Sequence, residues 1–103
     1  MKPKRNPEVN WRLEKGLYEN AREEAKRGGD YEDIGVLTLM AGNSIHQLNL
    51  VGAEIWLRIN GIAAVDTIVK EIAEIFEVDS EEMKGDVVEF LNSIRERGWI
   101  TIE

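Results

Sequence analysis

Val9, Trp11 and Leu13 alternate with Asn10, Arg12 and Glu14, the period of two that turns one face of a strand toward a core. From Leu17 to Asp33 the pattern becomes polar. There Glu19, Arg22, Glu23, Lys26 and Arg27 recur at spacings of three and four, which suits paired charges along a short exposed helix. Gly28-Gly29 would end that helix, because glycine takes the left-handed conformation of a helix C-terminus without penalty. Two strand-like runs follow, Ile34 to Met40 and Ser44 to Leu48, and Ala41-Gly42-Asn43 between them predicts a hairpin loop of about three to five residues.

Beyond the hairpin the apolar period lengthens to that of helices. Asn49 can accept a backbone N–H as an N-cap ahead of Leu50, Ile55, Trp56 and Ile59, with the helix ending at Asn60-Gly61. Val65, Ile68, Val69, Ile72, Ile75 and Phe76 form a wide stripe over a second helix, Val65 to Glu77. Asp79 and Glu82 make a capping-box-like pair before a third helix lined by Met83, Val87, Phe90, Leu91 and Ile94, which Gly98 stops. Trp99 to Ile102 is β-prone and could add a closing strand. The predicted class is α+β: a winged-helix-like domain with a three-stranded antiparallel sheet followed by three helices, interrupted by a charged insert over about residues 17–33.

Composition narrows the function more than the fold. At 103 residues the chain is the size of one domain, 1–103, and its 43% hydrophobic content supports a modest core. The least charged stretch, Ile34 to Ala53, is broken by Gly35, Gly42, Asn43, His46, Gln47, Asn49 and Gly52, so no membrane span is expected. The basic start, Met1 to Pro7, meets charged sequence rather than an apolar run, so the expected compartment is the cytoplasm. The absence of cysteine removes disulfides, thiol catalysis and cysteine-held metal centres. A net charge of -7 opposes binding to nucleic acid.

Candidate chemistry is sparse, and no cofactor is implied. His46 is the single histidine and lies in the hairpin without a serine or cysteine nucleophile in an elbow context, so it reads as a strand residue facing solvent or a ligand groove. Neither HxxxH nor ExxH spacing is present, and no metal site is expected. Asp79, Glu81, Glu82 and Asp86 suit the positive end of a helix dipole; Asp86, at the margin of the apolar face, could also pair with Lys84 or Arg95. The glycines form no phosphate cradle. The distinctive feature is the strand Ser44 to Leu48, which carries no charged residue or proline to guard it as an edge. Such an edge invites an extended peptide as an added strand. The stripe Lys84, Val88, Leu91 and Arg95 on the third helix, apolar at its centre and basic at both ends, could form a wall for that peptide; alternatively Val88 only widens the core face.

A resemblance carries this further. Leu48-Asn49, Gly52, Ile55-Trp56, Ile59, Gly61, Val65, Ile68-Val69, Ile72-Ala73, Phe76 and Val78, with Asp86-Val87, Phe90-Leu91, Ile94, Gly98 and Ile100, resemble the PqqD-like family of peptide chaperones, also called RiPP recognition elements. Arg5 to Val9, Trp11 to Glu14 and the charged insert resemble the subset associated with GeoRSP-type systems. The resemblance implies a non-catalytic protein that binds the leader of a ribosomally made precursor peptide and presents it to a radical SAM maturase. It implies a leader strand added between the third strand (Ser44, Ile45, His46, Gln47 and Leu48) and the third helix (Lys84, Val87, Val88, Leu91 and Arg95). Backbone at Ile45 and Gln47, or at the alternate pair, would meet the guest. The insert departs from shorter members and could contact the maturase.

Two other functions fit the same elements. A winged-helix DNA-binding regulator would need a basic recognition helix, whereas Glu81, Glu82, Asp86, Glu89 and Glu96 outnumber Lys84, Arg95 and Arg97. A self-associating module would use the open edge to pair with itself, so the expected state is a monomer or weak dimer.

Overall fold

In the computed structural model, which describes residues 1–103, the chain runs β1 (Pro3–Arg5), β2 (Asn10–Leu13), α1 (Lys15–Lys26), β3 (Leu37–Ala41), β4 (Ser44–Leu48), α2 (Leu50–Leu57), α3 (Val65–Phe76), α4 (Ser80–Glu96) and β5 (Ile100–Ile102). The fold is α+β, with a three-stranded antiparallel sheet ordered β2-β3-β4 and four helices. The elements gather into two compact units, Glu8–Glu54 and Met1–Pro7 with Ile55–Glu103.

In the unit Glu8–Glu54, β3 is the central strand. It pairs with β2 through Trp11 opposite Leu39 and Leu13 opposite Leu37, and with β4 through Leu39 opposite His46 and Leu37 opposite Leu48. The alternation expected at Val9, Trp11 and Leu13 buries Val9, while Trp11 stays over a third exposed. The hairpin is tighter than the sequence suggested, because Ala41 pairs with Ser44 and leaves a two-residue turn, Gly42-Asn43. Gly42 takes φ +60° and Asn43 does not go positive, the pattern of a type II′ turn with glycine first.

The insert is anchored helix, not an appendage. Ala21 of α1 is fully buried, and Arg22, which spacing had grouped with solvent-facing charges, donates to the Glu54 carboxylate at 2.6 Å. Tyr18 Oη donates to the same carboxylate oxygen at 2.8 Å. Gly28 (φ +73°) closes α1 as expected: Gly29 N–H reaches back to Glu24 C=O and Gly28 N–H to Ala25 C=O, a Schellman motif. At the start of α2, Asn49 Oδ1 accepts the Gly52 N–H at 3.1 Å, as its N-cap position predicted.

In the other unit, α3 buries Val65, Ile68, Val69 and Ile72 of its predicted stripe, with Ala73 added, and α4 buries Met83, Val87, Leu91 and Ile94, while Ile75, Phe76 and Phe90, also expected in those stripes, are only half-buried. The first of the three helices after the hairpin stops at Leu57, short of Asn60-Gly61. Asn60 instead starts a turn, its Oδ1 accepting the N–H groups of Ile62 and Ala63 at 2.9 Å each. Asp79 is the N-cap of α4 but makes no side-chain capping hydrogen bond, so the expected capping box does not form. Gly98 (φ +80°) ends α4 with Trp99 N–H on Ile94 C=O. The closing strand exists, but it pairs with β1 at Pro3–Ile102 and Arg5–Ile100 rather than with the three-stranded sheet. Met1 C=O accepts the Val65 N–H, and Arg5 lies over the Trp56 ring at 6.0 Å. No helix is long and apolar enough to cross a membrane.

Candidate functional site

An antiparallel ladder alternates residues whose N–H and C=O point at the partner strand with residues whose groups point away. A two-residue hairpin fixes the phase. Ala41 and Ser44, which flank the turn, exchange hydrogen bonds, and so do the pairs two residues further on, at Leu39–His46 and Leu37–Leu48. Leu48 C=O also accepts the N–H of Val36, the residue before β3, at 2.9 Å, so it points to the β3 side. The backbone of Ser44, His46 and Leu48 therefore faces β3. That of Ile45 and Gln47 is directed to the open side of β4, the edge of its sheet.

The other edges are guarded. On β2, Arg12 and its partner Glu14, 3.0 Å apart, put charge along the strand. Arg12 and then the Thr38 hydroxyl, both donating to the Glu14 carboxylate, hold its pKa below the usual carboxylate range. β1 and β5 are three residues long, and β1 carries Lys4 and Arg5. β4 has no such protection.

The side chains of β4 sort by face. Leu48 is buried and His46 half-buried on the face shared with Leu37 and Leu39, and Ser44 lies at the exposed turn end. Ile45 and Gln47 lie on the opposite face beside Met40 and Thr38. Ile45 is 72% exposed and Met40, directly across from it, 41%. Gln47 folds over Gly35, where a Cβ would lie 2.6 Å from its Oε1.

The helix residues of the candidate site lie in the other unit, and the structure divides them. Val87 and Leu91 are buried in the α4 core stripe. Lys84, Val88 and Arg95 are exposed, Val88 by 38%. Helical geometry puts these three on one flank of that stripe and gathers Glu82, Asp86, Glu89 and Glu96 on the opposite side. Lys84 Nζ is 4.0 Å from Asp66 of α3. No group of three or more potential metal-ligating side chains comes together.

The family model for coenzyme PQQ synthesis protein D (PqqD) matches residues 35–100, which include β3, β4, α2, α3 and α4. The chain belongs to the PqqD family. No curated protein and no solved structure matches it. PqqD-like proteins are peptide-binding accessory proteins of biosynthesis and not themselves catalysts. An unguarded, charge-free edge strand suits that role, since an extended peptide binds through backbone groups that an edge already presents. The match starts at Gly35, so β2 and the insert helix α1 precede the matched part.

The sequence missed Glu54, which reads as one more helix carboxylate. Only its position among Ala53, Ile55 and Trp56 hinted at burial.

Proposed function

We propose that this PqqD-family protein binds the leader of a ribosomally synthesised precursor peptide by strand addition to β4 and hands it to a radical SAM maturase, acting in the cytoplasm without a cofactor. The observation that supports this best is the phase of the hairpin. Ile45 and Gln47 direct their N–H and C=O groups outward from a strand with no charge or proline to repel a guest.

Side-chain contacts to the leader are expected from Ser44 to Leu48 of β4, and Lys84, Val88 and Arg95, exposed on α4 beside its buried Val87 and Leu91, are proposed as further contacts. Lys84 and Arg95 are eleven positions apart, roughly 16 Å along the helix axis. That length suits about five residues of extended peptide, and the two cations favour a leader with acidic residues. Helix α1, tied down by Glu54, is a firm surface for the maturase and a feature of the GeoRSP-type subset.

The test is an NMR titration of labelled protein with the leader segment of a candidate precursor peptide. Amide shifts concentrated at Ser44 to Leu48 and at Lys84, Val88 and Arg95 are expected. A leader that binds while those amides stay unmoved contradicts the reading.

A further inference from the structure

The exposed face of the sheet carries a feature that the fold does not need. Antiparallel sheets with one wet face usually keep that face polar, and most of this one conforms, with Asn10, Arg12, Thr38 and Gln47. Met40 and Ile45 break the rule. They stand directly opposite each other across β3 and β4 and are the most exposed large apolar side chains of the sheet. A two-strand pair leaves Ile45 with an apolar neighbour on its β3 side alone.

A strand added at the edge of β4 completes this row. The guest residue beside Ile45 projects its side chain to the same face as Ile45 and Met40, giving a three-residue apolar line across β3, β4 and guest. The next same-face guest position lies beside Gln47, whose amide is folded over Gly35 and so presents a polar neighbour. We infer that Ile45 is a specificity-determining residue that selects, on the exposed face of the bound strand, a β-branched or aromatic side chain at the guest position beside it and a polar one two residues along. This inference rests on strand addition to β4 and deepens it by naming the pattern the edge reads. It also assigns the exposed face a part in recognition, separate from whatever the buried-side positions contact.

The test is a display selection of random nine-residue peptides on the full-length protein and on its Ile45→Thr variant. Threonine keeps the strand preference and removes most of the apolar surface, and at so exposed a position the fold is preserved. Peptides selected on the parent should share a β-branched or aromatic residue at one position with a polar residue two along, and the variant should relax the first preference. A peptide carrying that residue should lose about two- to fivefold in affinity on Ile45→Thr, whereas its alanine-substituted counterpart should bind both proteins alike. Equal losses for both peptides, or the same enrichment on both proteins, overturns the inference. Amide exchange of the complexes separates this from failure of the underlying reading. Protection at Ile45 and Gln47 without the coupling leaves strand addition standing and removes the selectivity. Selected peptides that leave both amides unprotected, or a selection that yields no extended binder, overturn both.

Discussion

Arg22 of the insert helix and Glu54 of α2 meet at 2.6 Å, with the Glu54 side chain 2% exposed and Arg22 33%. The pair fixes the insert by a charge contact spanning 32 positions of sequence.

Breaking one side of it should cost more than removing both. Arg22→Met leaves the Glu54 carboxylate buried without its ion-pair partner, with the Tyr18 hydroxyl still donating to it, and a loss of about 2–3 kcal/mol is expected, reduced from the fully buried case because Arg22 is partly solvated. The double variant Arg22→Met with Glu54→Leu should recover a large part of that loss. Urea denaturation of the three proteins checks the order, and a double variant less stable than Arg22→Met would contradict it.

Tyr18 makes the same cluster sensitive to alkali. Burial first, and then the hydrogen bond to Glu54, raise its pKa above the ordinary 10.0. The native state therefore holds the proton more tightly than the unfolded chain. The stability contributed is complete below about pH 10 and is lost as the pH rises from there through the folded pKa. Stability measured from pH 8 to 11 should fall more steeply in the parent than in Tyr18→Phe.

Glu77 ends α3 at φ +53°, the one non-glycine residue with positive φ, with Val78 N–H on Ala73 C=O. A side chain there is strained and glycine is not, so Glu77→Gly should raise stability by about 0.5 kcal/mol after the entropy glycine loses on folding. A thermal melt reads this directly.

The exposed cations of α4 give a binding prediction. Lys84→Glu and Arg95→Glu should each weaken an acidic leader by up to about fivefold at low ionic strength, with the difference shrinking in high salt. Val88→Glu should act on binding with little loss of stability, whereas Leu91→Glu, which places a charge in the buried stripe, should unfold the protein. Titrations and melts on the same samples separate the two.

Elements specified by local pattern were legible in the sequence. The hairpin, the Asn49 cap and the α3 and α4 stripes depend on residues within a few positions of one another, and the α+β class followed from their order. Elements specified at long range were not. β1 has no apolar alternation, since Lys4 and Arg5 are held by backbone pairing with residues nearly a chain length away. The inward turn of Arg22 depends on Glu54, and charge spacing along α1 cannot reveal it. For the candidate site, the bare edge at Ser44 to Leu48 was readable as a lack of charge. Which backbone groups face outward was not, because the phase depends on Gly42-Asn43 forming a two-residue turn.

That phase gives the most direct test of the central claim. Proline at position 47 removes an N–H directed away from β3 and sets a ring on the open side of β4, a placement that edge strands tolerate. Proline at position 46 removes an N–H that the ladder to β3 uses. Gln47→Pro should therefore melt within a few degrees of the parent yet bind the precursor leader at least about tenfold more weakly, from the lost hydrogen bond and the blocked approach together. His46→Pro should be destabilised outright. A folded Gln47→Pro protein that binds the leader with the parent's affinity would contradict strand addition at β4.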